Sequence, residues 1–252
     1  MPKLQLPSVT LVLFDATCPE LARLALEDSL DQVDFGDVII CSPERIGGGD
    51  LRWIKTELWT DRLGLCSFLW YELPEQIRTD FILIISYDAW VIDASQWTDE
   101  FLNYDYVGAP WWYSDRFNVG HGLLRSMRLM RFLAANKQRF PLVHPEDQLL
   151  CRQYRPALEA QGFKWASEQL ASRFMFECTR PTPTSKHFIF HDVFNFPAVL
   201  SGKRLEERLR LLYTNDYIRR STDKIVQLER RRTAIILPRL AAPAAVEQTS
   251  AI

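Results

Sequence analysis

The stretch DFILIISYDAWVID, residues 80–93, decides the fold that we predict for this chain. Its five consecutive apolar residues, Phe81 to Ile85, are typical of a central strand that is buried on both faces. The carboxylate of Asp88 comes where this strand is predicted to end. In open α/β sheets, ligands bind outside the carboxyl ends of the strands. A carboxylate at that edge suits a hard divalent cation, which in turn can hold a diphosphate.

The residues around Asp88 leave two interpretations open. Ala89 is small enough to let a ligand approach, Trp90 offers it a flat apolar wall, and a second carboxylate follows at Asp93. Alternatively, Asp88 caps a turn and Trp90 belongs to the core. The spacing alone does not choose between them, because short motifs often arise by chance.

The segment before this stretch predicts a β-α-β unit. Residues 9–14 are a buried strand that ends in the polar tip Asp15-Ala16-Thr17. Residues 19–33 have helical apolar spacing with Pro19 in the first turn, and residues 37–41 form a second strand. A right-handed crossover would make the two strands parallel. We therefore predict an α/β fold with a mainly parallel central sheet flanked by helices.

Two later motifs carry polar groups beside helices. In NVGHGLLRS, residues 118–126, Gly120 and Gly122 flank His121 before a predicted helix at 127–137. The glycines indicate either close backbone approach to a ligand or an ordinary turn. A further helix is predicted for 144–161, with Glu146 and Asp147 in its first turn. These carboxylates either complement the helix dipole or supply a general base.

Composition narrows the class of protein. The chain has 252 residues, 47% of them hydrophobic, and a net charge of -2, which excludes the overall basic field of a nucleic-acid-binding protein. Its 5 cysteines are scattered without a CxxC pair, which argues against a disulfide framework or a zinc site and for a reducing compartment. There is no signal-peptide core and no run of about 18 apolar residues, so we expect no membrane span.

The end of the chain differs from the rest in charge. Residues 201–252 contain 11 Lys and Arg but only 6 Asp and Glu. We predict an α/β domain at 1–200, a basic helical extension at 201–237 and a disordered Ala- and Pro-rich tail at 238–252. The basic extension either contacts an anionic surface or is a solvated helix face.

Several motifs together resemble a known family. They are YDAWV (87–91), FLNYDYVGAPW (101–111), GHGLLRS (120–126), PED (145–147) and FHDVFNF (190–196). Over roughly residues 8–200 the chain resembles a family of largely uncharacterised bacterial glycosyltransferase-like domains linked to surface-polysaccharide synthesis. That family is similar to the GT-A class of nucleotide-sugar glycosyltransferases. The resemblance thus implies a GT-A-like (Rossmann-like) domain, with a C-terminal helical extension added here.

The chain departs from the family pattern at three places. Ala89 stands where the family usually has glycine after the aspartate, His121 replaces the second glycine of an NGGFSLRS-like motif, and Asp192 replaces the glycine of a His-Gly pair. A histidine at position 121 would change the shape of a sugar pocket.

The resemblance implies a role for each candidate residue. Transfer from a nucleotide-diphosphate sugar to a saccharide or lipid-linked acceptor would use Mn²⁺ or Mg²⁺ held by Asp88 and His191. Asp147, or Glu146 in second place, would be the general base of an inverting reaction. Further residues are expected to bind the donor, together with Asp88: Asp15, Thr17, Trp90, Gly120, His121 and Gly122.

Two other classes remain compatible with the sequence. One is an inactive module that only binds a nucleotide sugar; the other is a nucleotidyltransferase or a phosphotransferase. The absence of a P-loop argues against kinases but not against nucleotidyltransferases. The resemblance also implies a cytoplasmic protein that contacts the inner membrane face peripherally through basic and apolar residues of the extension. The rival interpretation is an extension that packs on the protein.

Overall fold

The computed structural model describes residues 2–15, 17–49, 51–58, 62–111, 119–177, 186–219, 226, 228 and 230. The chain divides into two compact units, Met1–Asp192 and Val193–Ile252, and each is described by itself. The predicted boundary at 200 thus falls inside the second unit.

The first unit is built on a six-stranded sheet with the order β3-β2-β1-β4-β6-β5. Strands β1 to β4 are parallel, and β6 runs antiparallel to both of its neighbours. The predicted α/β fold with a mainly parallel sheet is therefore confirmed. The strands are β1 Leu4–Phe14, β2 Val33–Ser42, β3 Arg52–Lys55, β4 Phe81–Ile85, β5 Tyr106–Pro110 and β6 Val119–Ser126; β7 Met175–Phe176 and β8 Ile189–Phe190 form a separate parallel pair.

Helices flank this sheet and also make up the described part of the second unit. The α-helices are α1 Pro19–Leu30, α2 Arg62–Ser67, α3 Met127–Ala135, α4 Glu146–Gln148, α5 Arg155–Glu159, α6 Glu168–Phe174, α7 Phe196–Val199, α8 Gly202–Thr214 and α9 Asp216–Arg219. Helix α2 continues through π-helical Phe68–Glu72 into 3₁₀-helical Leu73–Glu75, and π-helical Leu149–Tyr154 joins α4 to α5.

The three strands predicted from sequence lie side by side at the centre. In β1, Leu11 pairs with Val38 of β2 on one side and with Leu83 of β4 on the other. Both leucines are fully buried, and each contributes on the order of 1.5–3 kcal/mol from the area removed from water. Because the strands are parallel, Asp15 after β1 and Asp88 after β4 emerge at the same edge of the sheet.

Several element boundaries differ from the sequence prediction. Helix α1 ends at Leu30, because Val33 already pairs with Leu4 as part of β2. Strand β3 was not predicted; it is a half-exposed edge strand of only 4 residues, too short for a periodic signal. Two 3₁₀ helices, Ala94–Gln96 and Asp99–Asn103, follow β4 and are capped by the side chains of Asp93 and Thr98.

The C-terminal extension is only partly described. Helices α8 and α9 account for residues 202–219, and positions 226, 228 and 230 are also helical. The predicted disordered tail at 238–252 lies outside the described residues. Among the helices of the described chain, none is both long and apolar enough to cross a membrane.

Candidate functional site

Asp88 lies in a tight turn at the end of β4. The backbone groups of Ser86 and Ala89 close this turn with N–O distances of 3.2 and 3.1 Å. The Ser86 hydroxyl donates to Oδ1 of Asp88 at 2.7 Å, and the side chain of Asp88 is almost completely shielded from water. The turn interpretation is thus correct, and it holds a buried carboxylate at the ligand-binding edge of the sheet.

His191 approaches Asp88 from a distant part of the chain. Its Nε2 lies 3.9 Å from Oδ1 of Asp88, and its Nδ1 lies 2.6 Å from Oε1 of Glu177. Strands β7 and β8 run in parallel, so the residues that follow them, Glu177 and His191, emerge together. The backbone N–H of His191 also donates to the backbone carbonyl of Phe176 at 3.1 Å.

The charge of His191 follows from these neighbours. Burial lowers the pKa of the ring, but the carboxylates of Asp88 and Glu177 outweigh burial and raise the pKa to about 9. The ring is therefore an imidazolium at neutral pH, held between two carboxylates. Asp192 comes next and has a φ of 83°, the left-handed region that favours glycine, and its N–H donates to the Asp88 carbonyl at 2.9 Å.

Once Nε2 of His191 has given up its proton, which a bound cation displaces, Asp88 and His191 fit the donor chemistry of a divalent cation. Ligand bonds of about 2.1 Å allow two ligand atoms to lie up to about 4.2 Å apart, which accommodates Nε2 and Oδ1. Within the described residues, no group of three His, Cys, Asp or Glu side chains is arranged to hold a metal ion. Two protein ligands, completed by phosphate oxygens and water, are the usual environment of Mg²⁺ at phosphates.

Asp15 lies at the same edge of the sheet, in the turn that leads into α1. Its carboxylate accepts hydrogen bonds from the N–H of Thr17 at 2.9 Å and from the N–H of Cys18 at 3.0 Å. Burial raises the pKa of the Asp15 carboxyl; the N–H groups of Thr17 and Cys18 oppose this rise, and the nearby charge of Asp88 adds to it. The predicted convergence of Asp15 and Asp88 is thus present, and nucleotide binding by Asp15 and Thr17 stays a prediction.

Trp90 is a core residue and not a wall of the site. Only 1% of it is exposed, and it packs edge-on against Phe190 with ring centroids 4.4 Å apart. The prediction that it presents a face to a ligand is wrong, because neighbouring side chains cover it. Trp90 instead joins the segment after Asp88 to β8, the strand that His191 directly follows.

The glycine motif forms part of a strand where we had predicted a loop or turn. Gly120 and His121 lie in β6, and the side chain of His121 is outside the described set. The N–H of Gly122 donates to the Tyr106 hydroxyl at 2.7 Å, and a Cβ at Gly122 would lie 2.2 Å from the tyrosine ring. Packing therefore requires this glycine. Since β6 is antiparallel to β4, its first residues lie at the edge where Asp88 follows β4, and their contact with a sugar stays a prediction.

Glu146 and Asp147 are adjacent but have different surroundings. Oε1 of Glu146 lies 2.5 Å from Nη2 of Arg125, whose side chain is buried and whose Nε donates to the Gly122 carbonyl. The carboxylate of Asp147 makes no hydrogen bond or ion pair to any described residue. Asp147 is half-buried. Burial is the main reason why the pKa of Tyr106 is raised, and the charge of Asp147 adds to this rise. Asp147 therefore remains the candidate base, whereas Glu146 neutralises a buried arginine.

Two residues of this region, Glu177 and Arg125, are not predicted by the sequence patterns. No local pattern marks Glu177, because it meets His191 only through the pairing of β7 with β8. Arg125 had a signal, since it is a charged residue in a strand whose neighbours Leu123 and Leu124 are apolar. A charge in such a strand needs a buried partner.

A cavity of about 520 Å³ opens at the opposite edge of the sheet. It is lined by Asp80, Asp105, Arg128 and neighbouring residues, near the start of β4. The Asp105 carboxylate is bound by the Ser126 hydroxyl and by Arg128. This cavity is thus separate from the carboxyl edge that carries Asp15 and Asp88, and we place the candidate site at the latter.

Three solved structures share a loose likeness with the chain. A glycosyltransferase involved in glycosylation of the major capsid of PBCV-1 matches at 12% identity and TM-score 0.47, over 83% of this chain and 98% of the other. An active-site mutant of LgtC matches at 14% identity and TM-score 0.44, over 82% of this chain and 96% of the other. The apo form of the glycosyltransferase GlyE from Streptococcus pneumoniae TIGR4 matches at 11% identity and TM-score 0.42, over 91% of this chain and 63% of the other. At TM-scores below 0.5, these likenesses carry no functional conclusion.

Sequence comparison places the chain in a family. No curated protein matches it by sequence. A family model described as "Protein of unknown function (DUF5672)" matches residues 52–187, a stretch that includes Asp88, Asp147 and Glu177. Because this match covers more than half of the chain, the protein belongs to that family.

Proposed function

We propose that the protein is a glycosyltransferase that moves a sugar from a nucleotide-diphosphate sugar to a saccharide or lipid-linked acceptor. The observation that carries the proposal is the meeting of Asp88 and His191 at the carboxyl edge of a parallel sheet, 3.9 Å apart, with Asp15 at the same edge. Nucleotides bind at this edge in open α/β sheets. The sequence motifs that resemble glycosyltransferase-like domains support the same assignment.

Each residue has a distinct task in this proposal. Asp88 and His191 would hold Mn²⁺ or Mg²⁺, which supplies Lewis-acid stabilisation of the diphosphate leaving group. Asp15 and the Thr17 hydroxyl, just before α1, would contact the nucleoside, as proposed from sequence. Asp147 would take the proton from the acceptor hydroxyl, as an inverting reaction requires. The first residues of β6, Gly120 to Gly122, would border the sugar.

The experiment that tests this function measures nucleotide release and nucleotide binding together. Purified protein is incubated with a panel of UDP-, GDP- and dTDP-sugars, with and without Mn²⁺. We expect cation-dependent release of the nucleoside diphosphate and, by calorimetry, tighter binding of that diphosphate with Mn²⁺. Asp88→Asn should remove the gain from Mn²⁺. The matched control is Asp93→Asn, because Asp93 caps a 3₁₀ helix through Ser95.

The products distinguish this proposal from its rivals. Release of sugar 1-phosphate in place of the nucleoside diphosphate would indicate a nucleotidyltransferase, and binding of the nucleotide sugar without release, even with acceptor candidates, would indicate an inactive binding module. An Asp88→Asn variant that keeps the full gain from Mn²⁺ would remove Asp88 from the cation site.

A role in surface-polysaccharide synthesis and peripheral membrane contact complete the proposal. Of the apolar residues proposed to insert into a membrane, Leu212, Ile218 and Leu228 are fully buried, whereas Val226 is 42% exposed. Much of the apolar face is therefore covered, and any contact would depend on the basic residues. Co-sedimentation with anionic liposomes tests this: salt-sensitive binding that disappears on deletion after Ser201 supports it, and no binding at low salt contradicts it.

A further inference from the structure

The residue that orients His191 is Glu177. We propose that Glu177 is a positioning residue: it fixes the ring orientation of His191, with Nδ1 toward Glu177 and Nε2 toward Asp88, and it keeps the hydrogen on Nδ1 when the ring is neutral. The consequence of this positioning for cation binding rests on the function proposed above, whereas the effect of Glu177 on the histidine ring does not.

The contact between the two side chains is short and shielded. Nδ1 of His191 lies 2.6 Å from Oε1 of Glu177, and the side chains are 15% and 13% exposed. Such a distance is typical of a charge-assisted hydrogen bond. By contrast, Nε2 lies 3.9 Å from Asp88, too far for a hydrogen bond. Glu177 is therefore the stronger of the two partners and decides how the ring lies.

The backbone holds this pair in register. Phe176 pairs with Phe190 across β7 and β8, so the next residue of each strand, Glu177 and His191, lie opposite each other. The rings of Phe176 and Phe190 pack with centroids 5.9 Å apart beneath the pair. The arrangement therefore depends on strand pairing as well as on the attraction between side chains.

The chemistry of the pair determines the tautomer. An ionised carboxylate only accepts hydrogen bonds, so Nδ1 must carry a hydrogen. When the ring is neutral, Nε2 is then the atom with the free lone pair, and it is the atom nearer to Asp88. Histidines that ligate metals usually donate their other N–H to a carboxylate in this way, and loss of such a partner typically weakens metal binding by about 10- to 100-fold.

The first test requires neither metal nor nucleotide. Ring ¹⁵N shifts report the tautomer of a neutral histidine, and with 4 histidines in the chain a His191→Asn variant assigns the signals. Spectra are taken at about pH 10, above the pKa of about 9, with circular dichroism to verify the fold. His187 is an internal reference, because its Nδ1 lies 2.7 Å from the Ser172 carbonyl and must donate to it.

We expect the Nδ1–H tautomer of His191 in the unmodified protein and in Glu177→Gln, which keeps an acceptor oxygen. Glu177→Ala should shift the ring toward the Nε2–H tautomer that predominates in water, while His187 stays unchanged. An unchanged His191 tautomer in a folded Glu177→Ala variant would overturn the inference.

The second test measures the consequence for cation binding. Calorimetry with UDP, GDP and dTDP, with and without Mn²⁺, should show a loss of about 10- to 100-fold in the cation-dependent gain for Glu177→Ala, and recovery of most of it in Glu177→Gln. Glu159→Ala is the matched control, because Glu159 makes a surface ion pair with Arg155. A tautomer change together with no Mn²⁺ effect on any of the three diphosphates in the unmodified protein would support the positioning role and contradict the proposed function. A normal gain in Glu177→Ala would overturn the consequence for cation binding.

Discussion

Asp147 and Glu146 show how two neighbouring carboxylates acquire different roles. Glu146 accepts hydrogen bonds from Arg125 and, at 3.3 Å, from Nε1 of Trp70. Asp147 has no such partner among the described residues, so its carboxylate is available for a proton from another molecule. At the scale of the residue, the two carboxylates differ in whether a neighbouring side chain binds them, and not in their position in the helix.

We therefore expect Asp147→Asn to lower the turnover of sugar transfer by about 10²–10⁴-fold, the usual contribution of a general base. The affinity for the nucleotide, measured by calorimetry, should stay nearly unchanged, because the loss affects the chemical step. Glu146→Gln is the contrasting variant: it should mainly lower stability, because it leaves Arg125 without its charged partner. Near-normal turnover in Asp147→Asn would mean that another residue is the general base, or that the reaction is retaining.

At the scale of elements, one buried ion pair joins β6 to the helix that begins at α4. Arg125 bonds Glu146 on one side and the Gly122 carbonyl on the other, and its guanidinium lies 5.4 Å from the centre of the Tyr106 ring. Loss of one partner of a buried pair leaves an uncompensated charge. The pair therefore helps to determine where the first turn of the helix, and with it Asp147, lies.

We expect Arg125→Met to lower the free energy of unfolding by about 3–5 kcal/mol in denaturant titrations, because the largely buried Glu146 loses its charged partner. The double variant Arg125→Met, Glu146→Leu should be more stable than the single one, since neither charge remains. Arg23→Met is the control: the ion pair of Arg23 with Glu27 is exposed and should cost less than about 1 kcal/mol. A loss as small as that of the control would show that the buried pair does not hold the two elements together.

At the scale of the whole molecule, His191 links stability to pH. Asp88, Glu177 and Asp192 surround the ring, and they raise its pKa to about 9 against the lowering effect of burial. The ordinary value in an unfolded chain is about 6.5. The protonated ring therefore stabilises the folded protein fully below about pH 6.5, and this contribution is lost as the pH rises through about 9.

We expect the free energy of unfolding to fall by roughly 1 kcal/mol per pH unit between about pH 7 and 8. In this window, neither His187 nor the buried thiols contribute much. Burial lowers the pKa of His187, and burial raises the pKa of Cys41 and Cys151 to about 12. The thiols therefore affect the pH dependence of stability mainly at pH values above the pKa that they have in the unfolded chain. His191→Asn should flatten the slope. Equal slopes in the two proteins would mean that the ring is not charged in this range.

The amino-acid sequence by itself determined the central sheet of this protein. A strand buried on both faces needs a largely apolar run; the run in β1 is followed directly by Asp15, and the run in β4 is followed three residues later by Asp88. The parallel pairing of β1 with β4 brings these two aspartates to one edge. The helix beginning near Asp147 was also predicted, because a first turn tolerates acidic residues beside its unpaired N–H groups.

Only the tertiary structure decided which polar groups meet there. His191 and Glu177 are 14 positions apart and come together through a ladder of two-residue strands, which are too short for any periodic signal. Trp90 is in the core because Phe190 covers it, and Gly122 is in a strand because Tyr106 occupies the space of its missing side chain. Burial patterns are local and can be read along the chain, whereas strand pairing and side-chain contacts depend on residues far apart in sequence.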